Sequence, residues 1–321
     1  MFHKWSYALN QWRPTYDTFV RPEQHERALK TLATCGFTAI EVACGPGRWE
    51  PMGNREMIVA NHGSLSAFKD FLGACGIHGV SSYFFDPGTF LSTQNDLPLS
   101  AANPGQHGEI LDLAQEYLAM LPVLGGDRLV VRAAPSFWRF PEEPAGLIDS
   151  VARCWNTVAA AAGAGIKVGM HIDCLSSVRT EASIERLLKA TDPERVGLAI
   201  DTAEYAVAGL DPVQLLNRFA SRVNHLQLKD ARDVDELQEY RVPNAEMQML
   251  SAGGQREIAR WFYEMGTPRG RVDFPALLQA AQAIGYQGWY VVESDQSPYP
   301  ATSAMLNAWY IKNILRVPVG E

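Results

Sequence analysis

The sequence predicts an α/β protein of the TIM-barrel class, a closed (β/α)8 barrel. Three observations predict it. Eight short apolar segments alternate with eight helical segments along 321 residues, and strict alternation implies parallel strands joined by right-handed crossovers. No strand-to-helix turn carries the G-x-G-x-x-G run that an open dinucleotide-binding sheet would use. Several strands end in a carboxylate or an imidazole followed by a loop, which is how a parallel barrel presents functional groups at its C-terminal rim. The last strand shows this best: Trp289-Tyr290-Val291-Val292 stops at Glu293, and Ser294, Asp295, Gln296, Ser297 and Pro298 follow. Alternation sets Trp289, Val291, Glu293 and Asp295 on one side of it.

The elements follow in order. Trp5–Asn10 is the first strand, and a polar loop with Arg13, Pro14 and Asp17 leaves it. Pro22-Glu23 opens a helix with Ala28, Leu29 and Leu32 as its apolar stripe, and Gly36 ends it. Phe37–Ala43 is the second strand, and a loop leads to a helix near Ser64–Cys75. Ile77–Phe85 is the third strand, with Asp86-Pro87-Gly88 as its turn and a loop over Thr89–Gly105. A helix over Gln106–Leu121 carries Ile110, Leu113, Ala114, Tyr117 and Leu118 at helical spacing. Strand four is Arg128–Ala134, helix four Ala145–Ala162, strand five Lys167–Asp173 and helix five Glu181–Ala190. Strand six is Val196–Thr202, Asp211-Pro212 opens helix six, and strand seven is Arg222–Asp230. The connection 231–271 is long for a barrel and charged, which suits a lid or an interface. Asp273 caps a helix over Phe274–Ile284, and the eighth helix spans Thr302–Leu315. One domain, 1–321, is expected.

The chain is 47% hydrophobic and 20% charged, with a formal net charge of -8. That balance argues against a nucleic-acid partner, which would want a basic face. The five cysteines, Cys35, Cys44, Cys75, Cys154 and Cys174, include no C-x-x-C pair and read as buried thiols of a reducing compartment. Met1–Trp12 holds no apolar signal segment and no run approaches a membrane span, so a cytoplasmic protein is expected.

Four late strands end in metal-capable side chains. Strand five supplies His171 and Asp173, and strand six supplies Asp201. Strand seven supplies His225, Gln227 and Lys229 on one face, and strand eight supplies Glu293. Taken singly, His171 reads as a core histidine and Asp201 as a loop cap. Taken together, the four strand ends converge on one rim. A His, an Asp, a Glu and one neutral donor suit a divalent ion with open positions, Mn²⁺, Co²⁺ or Zn²⁺ rather than Mg²⁺.

These residues sit in blocks that resemble the sugar-phosphate isomerase/epimerase superfamily, the xylose-isomerase-like TIM barrels, and within it the inosose dehydratases. VGLAIDTAEYAVAGLDP resembles the strand-six block, whose Asp is a metal ligand, here Asp201. RVNHLQLKD resembles the strand-seven block ending H-x-K-D, and GRVDF the lead into the penultimate helix. GYQGWYVVESDQSP resembles the final strand, whose Glu is a ligand, here Glu293. Two positions depart from the pattern. His171 stands where the superfamily usually has Glu, and Gln227 stands where its metal-binding His falls, leaving His225 two residues upstream. The site is then altered, or weakened, or completed by His225 through a local register change; the favoured reading is an altered set, His171, Asp201, Gln227 and Glu293, around Mn²⁺ first and Co²⁺ or Zn²⁺ as alternatives.

The implied chemistry is proton abstraction α to a carbonyl of a keto-sugar or keto-polyol, giving isomerisation, epimerisation or dehydration through an enediolate. Glu293 and His171 are the candidate bases. Asp173, His225, Lys229, Arg132 and Trp138 are candidate substrate contacts, with ion pairing or packing as the other reading of Arg132, Trp138 and Lys229. An alternative is β-elimination from a 3-keto C-glycoside with a small second subunit, for which Trp49, Trp138 and Trp261 leave room. A further alternative is a non-catalytic sugar-binding barrel. A DNA-repair endonuclease on this fold would need more than the seven His present and a basic groove. A homo-oligomer is expected.

Overall fold

The structure is a computed structural model, and it describes residues 4–12, 19–45, 51–140, 146–254 and 257–319. Trp49, Arg13, Pro14 and Asp17 lie outside the described residues. Eight parallel strands close into a barrel: β1 (Lys4–Ala8), β2 (Ala39–Ala43), β3 (Gly79–Phe85), β4 (Arg128–Arg132), β5 (Lys167–His171), β6 (Val196–Asp201), β7 (Val223–Leu228) and β10 (Trp289–Val292). Strand β1 pairs with both β2 and β10, which completes the ring. Strands β1, β4, β5, β6 and β7 stop one or two residues before their expected ends, and β2 and β3 stop at them.

The helices form where caps and apolar stripes called for them. Asp211 accepts N–H bonds from Val213 and Gln214 at 2.8 and 3.2 Å, opening α8 (Pro212–Arg218). Asp273 does the same for α10 (Phe274–Ala283) through Ala276 at 2.9 Å. Thr180 and Ser183 form a reciprocal capping box on α6 (Glu181–Ala190). The remaining outer helices are α1 (Pro22–Thr34), α3 (Leu65–Ala74), α4 (His107–Leu124), α5 (Leu147–Ala161) and α11 (Pro300–Tyr310), which runs on as a π-helical turn.

Several elements escaped the sequence reading. Helix α2 (Arg55–His62) precedes α3 within the predicted loop. Helix α7 (Thr202–Val207) is buried at every residue, so it has no polar stripe for periodicity to detect. Helix α9 (Ala245–Ala252) and a ribbon of β8 (Asp230–Ala231) with β9 (Phe262–Tyr263) give structure to the long connection. Two-residue strands are too short to show a period. No helix of the described residues is long and apolar enough to cross a membrane.

Candidate active site at the C-terminal rim

A recess of ≈ 680 Å³, counted out to solvent, opens at the C-terminal ends of the strands. Its centre is the Lys229 ammonium. Thr202 and Lys229 fix the end of β7: the Thr202 hydroxyl donates to the Lys229 carbonyl at 2.6 Å, and the Lys229 N–H lies 3.1 Å from Thr202 Oγ1. The side chain then points inward, fully buried, with Nζ 2.7 Å from Glu293 Oε1 and 3.0 Å from Asp201 Oδ2. Asp295 and Glu204 complete the ring at 3.5 and 3.6 Å. The Phe262 ring covers the ammonium at 4.1 Å.

One ammonium does not neutralise four buried carboxylates, and proton affinities divide accordingly. Burial opposes the Lys229 charge, but Asp201, Asp295, Glu293 and Glu204 hold it protonated. Burial pushes the Glu293 carboxyl up to about 8, with Lys229 opposing and Asp295 and Asp201 adding. Burial likewise raises Glu204, with Lys229 opposing and Asp201 and Asp173 adding. Asp201 stays ionised against its burial, because Lys229 and His171 both stabilise its charge. His171 donates toward Asp201 Oδ2 at 3.3 Å, and that partner outweighs burial to raise its pKa.

A second ion cluster forms one wall. Arg132 contacts Asp173 Oδ2 at 2.5 Å, Asp86 Oδ2 at 3.4 Å and Glu246 Oε1 at 2.5 Å. Glu246 comes from α9, so the 231–271 connection reaches the rim. Met249 of the same helix accepts a bond from Gln296 Nε2 at 2.8 Å, and Gln296 Oε1 receives the N–H groups of Trp261 and Phe262 at 2.6 and 3.0 Å. A larger recess of ≈ 1520 Å³ adjoins and shares Asp86, Arg132 and Glu246 as a common wall.

Below the recess, the barrel interior is polar where packed aliphatic layers are the rule. Glu41 of β2 reaches across to β7: Gln227 Nε2 donates to its Oε1 at 2.6 Å, and His225 Nε2 lies 3.0 Å from its Oε2. Ser82 donates to Glu41 at 2.7 Å, and Ser82, Ser81 and Ser6 continue the chain at 3.0 and 2.7 Å. Register shifts opposite Ile40/Glu41 and Leu198/Ala199 each insert an extra residue beside this layer. Such bulges re-aim side chains, and here both Ser81 and Ser82 end up fully buried near Glu41.

The expected ligand set does not assemble as one group. Among the described residues His171, Asp201 and Glu204 are all buried and place ligand atoms within 4.8 Å of one another, a spacing able to hold a metal ion. Gln227 is turned to Glu41, and its Oε1 is buried without a hydrogen bond. Glu293 is turned to Lys229. Of the three that cluster, Asp201 Oδ1 caps α7 through Ala203 and Glu204 at 3.1 Å each, Glu204 Oε2 accepts the Cys174 N–H at 2.8 Å, and His171 Nδ1 is buried without a hydrogen bond. The four-residue Mn²⁺ set therefore does not fit.

A family model described as a xylose isomerase-like TIM barrel matches residues 29–311. The chain belongs to that family. Among curated relatives it resembles inosose dehydratases of Lacticaseibacillus casei, 32% identical over 43% of each chain, and of Geobacillus thermodenitrificans, 32% identical over 47% of each. The match thus spans less than half the length of those relatives. A sugar phosphate isomerase/epimerase from Parabacteroides distasonis has the same fold, with a TM-score of 0.66 at 18% identity, covering 98% of this chain and 99% of that one.

Within this family member, His171, Asp173, Asp201, Lys229, Arg132 and Glu293 meet at or beside one recess, as strand ends in a barrel should. His225 lies beneath it, fully buried against Glu41, and so is not placed to touch substrate. Trp138 sits in the turn after β4 under the Arg139 guanidinium at 4.9 Å and is not among the residues lining the recess. Among the lining residues that went unnoticed are the polar Glu41, Glu204, Glu246 and Asn10. Two had signals. Glu41 is a carboxylate inside an apolar strand, and Asp201-Thr-Ala-Glu204 has capping-box spacing. Asn10 and Glu246 had none.

Proposed function

We propose that the chain is an enzyme that moves a proton at the carbon α to the carbonyl of a keto-polyol or keto-sugar, with loss of a β-hydroxyl as the outcome. The observation that carries this reading is Glu293, a buried carboxyl lining the recess with its pKa pushed up to about 8. A carboxylate that basic can take a proton from carbon and return it near neutral pH. Lys229, 2.7 Å away, offers positive charge for the oxyanion that forms. His171, held protonated more readily than usual by Asp201, is suited to protonate a departing hydroxyl. Asn10 Oδ1, buried and without a hydrogen bond, and the Arg132–Asp173 pair are suited to orient substrate hydroxyls.

Incubation with keto-inositols and ketohexoses in D₂O tests the reading. Deuterium should enter the α-carbon, followed by loss of water, as read by NMR. No incorporation into any keto-polyol that binds would end it.

The adjoining recess favours a second reading, β-elimination from a keto-glycoside whose larger group occupies that space. We also read the 231–271 segment as a lid, supported by its contacts through Glu246, Met249 and Phe262. Gln296→Ala removes the amide that ties this segment to the last strand. It should raise KM severalfold and leave kcat within about a factor of two, because the lost contacts affect substrate retention more than the reacting groups. An unchanged KM would show that the segment has no such role.

A further inference from the structure

The carboxylates at the rim already have a cation. We propose that the Lys229 ammonium, rather than a divalent ion, is the resident cation of this site. Four carboxylates from the two strands that flank β7 point at one nitrogen: Asp201 and Glu204 at the end of β6 and in α7, and Glu293 and Asp295 in the loop after β10. Glu293 and Asp201 are within hydrogen-bond distance at 2.7 and 3.0 Å, and Asp295 and Glu204 stand at 3.5 and 3.6 Å. Nothing about the arrangement is incidental to a flexible surface lysine: the side chain is 2% exposed, its strand end is pinned by Thr202, and Phe262 closes the far side.

The same geometry works against a second cation. A metal–oxygen bond is about 2.0–2.2 Å long. An ion on Asp201 Oδ2, which is 3.0 Å from Nζ, would therefore lie within about 5 Å of the ammonium. The two like charges would compete for one buried carboxylate. The neutral Gln227 amide, the candidate ligand from β7, is held toward Glu41 through its Nε2. A fixed ammonium does not exchange with solvent ions, so the site keeps its positive charge under conditions where a bound metal would be lost. The further role of Lys229 as the electrophile facing a substrate oxygen rests on the enolisation reading. The identity of the cation does not.

Mn²⁺ titration reads the difference without any substrate. Chelator-treated wild-type protein should bind no stoichiometric Mn²⁺ up to millimolar concentration, by electron paramagnetic resonance of the free ion and by calorimetry. Lys229→Met removes the charge and keeps the length. It should bind one Mn²⁺ at least about tenfold more tightly than wild type, since a nearby like charge is gone. Its thermal midpoint should rise on adding Mn²⁺, a response the wild type lacks. One tightly bound Mn²⁺, Co²⁺ or Zn²⁺ per wild-type chain would overturn the proposal, as would a folded Met variant that gains no affinity. If the Met variant does not fold even with Mn²⁺, the wild-type titration alone decides: stoichiometric binding overturns the proposal and its absence sustains it. Failure of the D₂O exchange experiment would leave this result untouched, so the two readings fail separately.

Discussion

Glu293→Gln should lower turnover by roughly 10²–10⁴, the range for a positioned acid–base group. The substitution keeps the shape and an oxygen for Lys229 but removes the basicity. KM should move little, because the lost interaction acts on the proton in transit. The variant should also differ in how stability depends on pH. Folding lifts the Glu293 pKa from 4.5 to about 8. Between those values the native state holds a proton that the unfolded chain has released, so stability falls as pH rises across that window. The Gln variant lacks this group. Its thermal midpoint relative to wild type should improve steadily from pH 5 to pH 8. His171, also raised, contributes the same sign in both proteins and cancels in the comparison to first order. A variant with wild-type turnover would reduce Glu293 to a partner of Lys229 and shift the role of base to His171.

Glu41→Ala should cost ~3–5 kcal/mol of stability, the usual loss when one member of a buried ionic hydrogen-bonded group is removed. His225, Gln227 and Ser82 all bond to this carboxylate at 2.6–3.0 Å. Its removal leaves their polar atoms in the barrel interior without an acceptor. Glu41 is held below the ordinary carboxylate pKa: burial raises it, but His225, Ser82 and Gln227 outweigh that. This stabilisation is present above the unfolded-state value of 4.5 and is lost as pH falls through the lower folded value. Urea unfolding at pH 7 and pH 4 measures both effects. A loss under about 1 kcal/mol at pH 7, typical of a surface change, would mean that the interior layer contributes little.

The barrel and the identity of its rim were legible in the sequence because both are local. Strand and helix periods, the Asp211 and Asp273 caps and the turn glycines depend on neighbours a few residues away. In a parallel barrel every strand's C-terminal end faces the same way, so His171, Asp201, Lys229 and Glu293 had to meet once the alternation was recognised. Which of them touch was decided by closure. Glu41 binds His225 and Gln227 across 184 and 186 residues of chain. That pairing depends on strand stagger and on two bulges that no local pattern announces. It turned Gln227 away from the rim and sank His225 beneath it. Glu246 reaches Arg132 from 114 residues further along, through a helix whose stripe was too weak to read. The place of Lys229 was likewise a tertiary outcome. Alternation put it on the inward face, but only the convergence of four separately encoded carboxylates on its Nζ made it the centre of the site. A buried charge goes where its counter-charges are, and those are fixed by the closed barrel rather than by the residues beside it.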